Sequence, residues 1–219
     1  MMASDDKRTA VHYQTGLFGP EGQKGVILQE RTGAIITQLS FFKNQKVALS
    51  KWLAASCSAA MPAPGQVEKA EKAVIARAEP QKIWHISSAL PSLDGADAFY
   101  PLDMSGARRI LDITGADARA VMARLSSADF RDVSFGMGQF MSTGMHHVGV
   151  QVMRLNDGFR LFVPRSFSES LFDLTAEISA QFGLEIKKEA AYQFKIHDRK
   201  DIKCQRPPLK PQSGHMQPR

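Results

Sequence analysis

Three serines follow a strand-like run in GFRLFVPRSFSESL (residues 158–171), and a serine at a strand-to-helix bend is where many hydrolases keep a nucleophile. That chemistry needs small residues on both sides of the serine, as in G-x-S-x-G, so that the strained turn can form. Here Pro164, Arg165, Phe167 and Ser168 surround Ser166, so the small-residue pattern of an elbow is not met. Ser166 and Glu169 instead stand three apart, the spacing of a capping box that opens a helix. Arg165 lies beside the free N–H groups of that helix start, where an anion is attracted. Arg165, Ser166 and Phe167 are accordingly read as an interface candidate, and no catalytic residue is assigned.

Other chemistry-bearing residues are isolated. His146 and His147 fall in an alternating, strand-like run, which would point them to opposite faces and prevent joint metal binding. His146 would then share a buried face with Val148, Val150 and Val152. His85 follows Trp84 in another strand-like run and is no more informative. GADARA and GMGQF lack the spacing of a dinucleotide or phosphate loop, so their glycines read as turn residues. Cys57 and Cys204 form neither a C-x-x-C pair nor a disulfide framework. No metal-binding, cofactor-binding or aromatic RNA-binding signature is present, and no cofactor is expected in this chain.

The elements that would hold these residues follow from periodicity. GVILQER (25–31) and AIITQLSFF (34–42) are strand-like and flank Thr32-Gly33, which predicts a hairpin. Asn44 is a candidate cap for a helix through Ala48, Leu49, Trp52 and Leu53, stopped by MPAPGQ. Strands are expected at 73–78, 82–87 and 108–114, and a helix at 115–127 with Ala118, Val121, Met122 and Leu125 on its apolar face. GQFMST and HHVGVQVMRL continue in β fashion, NDG turns the chain, and FRLFV returns. Behind Ser166, the stripe Phe167, Leu171, Leu174, Ile178 and Phe182 ends at Gly183. The recurring order of strand, helix and strands predicts an α+β fold of duplicated strand-helix-strand halves, about 26–90 and 105–186, between an N-terminal extension (1–25) and a C-terminal tail (187–219).

At 219 residues and 43% apolar content the chain can bury a core. It contains neither a run long enough to span a bilayer nor an apolar leader near its first residues, so a soluble, cytoplasmic protein is expected. The net charge of +6 resides wholly in residues 187–219, which hold nine Lys or Arg against Glu189, Asp198 and Asp201. A neutral body with a basic, proline-containing tail argues against nucleic acid or membrane as partner. It favours an extension that wraps or docks on another protein.

Taken together, ILDITGADARAVMARLSS, GQFMSTGMHHVGVQVMRLNDGFRLFVPRSFSESLFDLTAEISAQFG, and MPAPGQ followed by KIWHIS resemble the gamma subunit of heterotetrameric sarcosine oxidase over roughly residues 26–183. The strand-to-helix run FRLFVPRSFSESLFDL is the most specific part, and the GADA helix is shared with aminomethyltransferase-like folate-binding domains. The resemblance implies a noncatalytic small subunit of an oxidoreductase complex that oxidatively demethylates sarcosine or a related N-methyl amino acid. It implies alpha, beta and delta subunits as partners, with FAD, FMN, NAD and tetrahydrofolate held in those partners. The stretch KIWHISSALPSLDG keeps only Trp84 of the family's glycine-rich segment, and the tail has no counterpart in that pattern. An N-methylglutamate dehydrogenase-type complex and a free-standing folate-binding protein are the alternatives. The second is disfavoured because AIITQLSFF has no acidic residue.

Overall fold

A computed structural model of the chain describes residues 15–20, 24–96 and 99–192. Chain order is β1 (Gly16–Phe18), β2 (Val26–Thr32), β3 (Ile35–Ser40), α1 (Lys46–Cys57), β4 (Gln66–Lys69), β5 (Ala73–Glu79), β6 (Lys82–Ser87) and β7 (Tyr100–Asp103). It continues with β8 (Arg108–Thr114), α2 (Ala118–Leu125), β9 (Phe140–Met145), β10 (Val148–Arg154), β11 (Gly158–Pro164), α3 (Ser168–Ala180) and β12 (Leu184–Ala191). Short 3₁₀ turns at Lys43–Gln45, Ser105–Ala107 and Arg165–Phe167 lead into α1, β8 and α3.

The strands form two sheets, one in the order β1-β12-β2-β8-β11-β10-β9 and the other in the order β4-β5-β6-β3-β7. Side chains alternate between faces along each strand, so each sheet has two apolar faces to cover. Val26, Leu28, Leu111, Ile113, Phe159 and Leu161 of the larger sheet pack against α2 and α3. Leu39, Ala73, Ile75 and Ile83 of the smaller sheet pack with Leu49, Trp52 and Leu53 of α1. The remaining faces meet each other through Ile36, Val74, Trp84 and Ile86 on one side and Ile110, Phe140, Met153 and Phe162 on the other. Trp84, Phe140 and Phe162 form a ring trio with centroids 5.6 to 5.8 Å apart, in the tilted and edge-on geometry that aromatic quadrupoles favour. The architecture is therefore helix, sheet, sheet, helix.

Several sequence expectations change here. The stretches around Thr32-Gly33 do not form a hairpin. β2 lies between β12 and β8 in the larger sheet, whereas β3 lies between β6 and β7 in the smaller one. Gly33, with φ of 75°, is the point where the chain passes from one sheet to the other. Asn44 does not cap α1: it lies inside the preceding 3₁₀ turn, whose first amide, Phe42 N–H, donates to Gln45 Oε1 at 2.8 Å. β12 runs through residues 187–191 and Tyr192 is buried, so the ordered body extends past the boundary expected at 186. At the other end, β1 pairs with β12 inside the expected N-terminal extension. The rest of the basic tail, from residue 193, lies outside the described residues.

His146 and His147 are not on a strand. They form the two-residue turn between β9 and β10, with φ of 42° and 69° and Met145 paired to Val148. Positive φ at both positions is the geometry of a type I′ hairpin. Both histidines are exposed, so His146 does not share the buried face of the β10 valines. The α2 stripe is as expected, with Ala118, Val121, Met122 and Leu125 buried. On α3 the buried face is rotated to Leu171, Phe172, Thr175 and Ser179, while Phe167 is half exposed and Leu174, Ile178 and Phe182 are only partly buried. Thr175 fits this face because its hydroxyl donates to Leu171 O at 2.6 Å.

The approach to α2 depends on Gly115, which has φ of 110°. A Cβ there would strike the Gly25 carbonyl, the same oxygen that accepts from Asp117 N–H at 3.0 Å. Gly115→Ala is expected to cost about 1–3 kcal/mol, through backbone strain and the lost approach of the two segments. Equilibrium urea unfolding of the variant measures it.

Candidate functional site

The strand-to-helix corner expected to be an interface is at the surface. β11 ends at Pro164, Arg165–Phe167 make the 3₁₀ turn, and α3 begins at Ser168. Ser166 is exposed and sits within the turn, not at the cap position, which belongs to Phe167 and has no side-chain cap hydrogen bond. Ser168 Oγ donates to Arg165 O at 2.8 Å. Neither serine has a hydrogen-bonded histidine among the described residues, so a hydrolytic pair is not assembled. Beside the corner is a dimple lined by Glu30, Arg109, Leu111, Val163, Ser168 and Phe172, with a volume of about 20 Å³. That is room for a water molecule and far below the size of an organic-ligand pocket. Arg109 Nη1 and Glu30 Oε1, 2.6 Å apart, close one wall of it.

A second polar constellation was not singled out from the sequence. Asp112, in the middle of β8, is 2% exposed and accepts from Arg160 Nε at 2.6 Å and Nη2 at 2.9 Å. Arg31 Nε approaches the same carboxylate from β2 at 2.7 Å. The Arg160 guanidinium lies 4.3 Å from the centroid of the Tyr192 ring. Strand pairing explains the geometry: Gln29, Asp112 and Arg160 are in register across β2, β8 and β11. Burial works against the Arg160 charge, but the Asp112 carboxylate and Tyr192 outweigh it, and the guanidinium holds its proton more tightly than usual. Burial raises the Tyr192 pKa, partly countered by Arg160. The signal for this cluster was an aspartate inside RRILDIT and an arginine inside FRLFV, single charges in otherwise apolar strands.

The remaining titratable groups are dispersed. His85 is 4% exposed on the face of β6 that packs under α1, opposite Thr37 of β3. Its pKa is lowered by burial, with a weaker opposing contribution from its own backbone. Cys57, at the end of α1, has its thiol pKa raised by partial burial, which makes it a poor nucleophile. Among the described residues no group of three or more His, Cys, Asp or Glu could hold a metal ion. Among the same residues, no helix is long and apolar enough to cross a membrane.

No protein-family model matches the chain, and no curated protein matches its sequence. Solved structures do. A chain of the heterotetrameric sarcosine oxidase from Corynebacterium sp. U-96, in complex with pyrrole 2-carboxylate, superposes with a TM-score of 0.63 at 22% identity, covering 75% of this chain and 87% of that one. The glycine cleavage system aminomethyltransferase T from Bartonella henselae superposes with a TM-score of 0.53 at 13% identity, covering 76% of this chain and 48% of the enzyme. This chain thus has the mixed α+β fold found in a sarcosine oxidase chain and in about half of an aminomethyltransferase.

Two outcomes are expected from the buried groups. Asp112→Asn leaves Arg160 and Arg31 without their carboxylate and should cost about 3–5 kcal/mol in urea unfolding. His85 is neutral in the folded chain, whereas the unfolded chain takes up a proton at a pKa of about 6.5. Its contribution is thus fully present above that pH and is lost as pH falls toward the lowered folded value. The stability gap between wild type and His85→Gln should narrow between neutral and mildly acid pH, as followed by denaturant midpoints.

Proposed function

We propose that this chain is the noncatalytic small, or gamma-type, subunit of a heterotetrameric flavoenzyme complex of the cytoplasm that oxidatively demethylates sarcosine or a related N-methyl amino acid. One observation carries the reading. The fold accounts for 87% of a chain in a heterotetrameric sarcosine oxidase but only 48% of the aminomethyltransferase. The likeness is thus to one small chain of an assembly more than to a complete enzyme. The alpha, beta and delta subunits are the proposed partners, and FAD, FMN, NAD and tetrahydrofolate are assigned to them.

Other features support it. The corner dimple is too small for a folate, and the buried Asp112 cluster is occupied by its own arginines. Large apolar side chains are bare instead, among them Phe42, Val47, Tyr100, Leu102 and Phe167, each at least half exposed. An assembly subunit needs such surface, whereas a monomer gains nothing from it. Arg165, Ser166 and Phe167 remain interface candidates at the α3 corner.

We also read the fold as a duplication. β3-α1-β4-β5-β6 and β8-α2-β9-β10-β11 run in the same order, and each group builds a sheet in the same spatial order, β4-β5-β6-β3 and β9-β10-β11-β8. The strand preceding each half joins the other half's sheet: β2 pairs with β8, and β7 pairs with β3. That exchange ties the halves into one unit.

Co-expression of the full chain with the larger subunits of a sarcosine oxidase-like complex from the same organism tests the proposal. Co-elution on size exclusion, with amine-oxidising activity in the co-eluting fraction, is expected. A chain that never co-elutes, or one that alone binds a tetrahydrofolate tightly by calorimetry, overturns it.

A further inference from the structure

The smaller sheet's inward face is only partly covered. Directly opposed residues of antiparallel strands share a face, so Lys82, Ser40 and Tyr100 form one row across β6, β3 and β7, and Trp84, Gln38 and Leu102 form the next. Trp84 is 6% exposed beneath the larger sheet, and its Nε1 donates to Gln38 Oε1 at 3.2 Å. Further out, Leu102 is 54% and Tyr100 58% exposed, and the equally bare Phe42 meets the Tyr100 ring edge-on at 6.0 Å. Among the described residues, nothing covers this face where it runs from the core toward solvent.

At the seam stands Arg108, its guanidinium 5.6 Å from the Trp84 ring centroid. Arg31, Arg109, Arg154 and Arg160 each hold a carboxylate. Arg108 holds none among the described residues, and its buried Nε has no hydrogen-bond partner there. Partial burial lowers its pKa, so the charge is already partly stripped of water. Arg108 pairs in register with Pro164, one residue before Arg165, which connects this face to the exposed α3 corner. The edge strand β7 contains Pro101, which has no N–H to offer an added strand.

We infer that the face formed by Phe42, Tyr100, Leu102 and Arg108 docks a segment of a partner subunit that presents apolar side chains around one carboxylate, the carboxylate pairing with Arg108 and the apolar groups covering Tyr100 and Leu102. The unpaired guanidinium selects the occupant. A desolvated arginine gains a charge-assisted, two-pronged bond from a carboxylate, which a purely apolar surface cannot supply. An aromatic cluster next to a single buried charge pair is also where interface energy concentrates.

This inference rests on the assembly role proposed above, and the test separates the two. The full chain is reconstituted with the larger subunits as wild type, Arg108→Gln, Arg108→Lys, Tyr100→Ser and Leu102→Ser, and binding is measured at low and high salt. Melting of each isolated variant checks that it folds. Arg108→Gln and Tyr100→Ser should each weaken assembly about tenfold or more. Arg108→Gln should also lose much of the salt dependence, and Arg108→Lys should restore it in part. Hydrogen exchange should slow at residues 99–104 in the wild-type complex. Wild type that assembles while folded variants bind within about twofold of it, with no protection at 99–104, overturns this inference and leaves the assembly role standing. Wild type that never assembles overturns both. Self-association of the isolated chain that the same variants abolish also overturns this inference, since the occupant is then a second copy.

Discussion

Arg160 is 4% exposed between two sheets, and a guanidinium can stay there only if its charge is met. Asp112 meets it with both oxygens from the neighbouring strand and takes Arg31 from the strand on its other side. One carboxylate therefore sets the register of β2, β8 and β11, the centre of the larger sheet. A slip of β8 by one residue would turn Asp112 onto the helix-facing side among Phe159, Leu161 and Val121. Removing the carboxylate leaves two cations side by side, a much worse state than an apolar pair. Tyr192 covers the cluster, and holding it there requires β12 to continue along β2 beyond its first turn of pairing.

With that register set, the two sheets and three helices bury three apolar layers. The polar groups inside are either paired with one another or single, as His85 is. Among the described residues, no group of three or more His, Cys, Asp or Glu is placed to hold a metal ion. Among the described residues, the rim holds the bare aromatic end of the smaller sheet, Arg108 without a carboxylate, and the Phe167 corner. Under the assembly role proposed above, another chain completes these surfaces. That distribution, with packing inside and bare apolar surface at the edges, supports the assembly role proposed above.

Much of the secondary structure was legible because it is written in neighbouring residues. The stripe of Ala118, Val121, Met122 and Leu125 survives intact, as do the strands 82–87 and 108–114 and the NDG turn. The failures have separate causes. Thr32-Gly33 has turn chemistry, yet its flanking strands find better-covered places in different sheets. The histidine pair continues the β alternation, while its backbone turns with positive φ. On α3 the apolar spacing named one face, but the sheet accepted another, where the small Thr175 and Ser179 allow close approach. The interface triplet Arg165, Ser166 and Phe167 was legible as an exposed corner, whereas Arg108 was not, because nothing in RRILDIT says that one arginine finds Glu30 while its neighbour lies over Trp84 with no carboxylate among the described residues.

The sequence by itself determined the fold class, the number and kind of most elements, the absence of a recognisable catalytic motif, and a resemblance strong enough to predict the fold that superposition with a sarcosine oxidase chain shows. Only the tertiary structure decided which strands pair, which helix face is buried, and which charges are matched. The physical reason is range. Periodicity and turn chemistry act over a few residues, but the partner of Arg160 lies 48 positions away and that of Arg31 lies 81 away. Whether a charge is paired or left waiting for another chain depends on which distant segments come together, and that is settled only when the sheets close on each other.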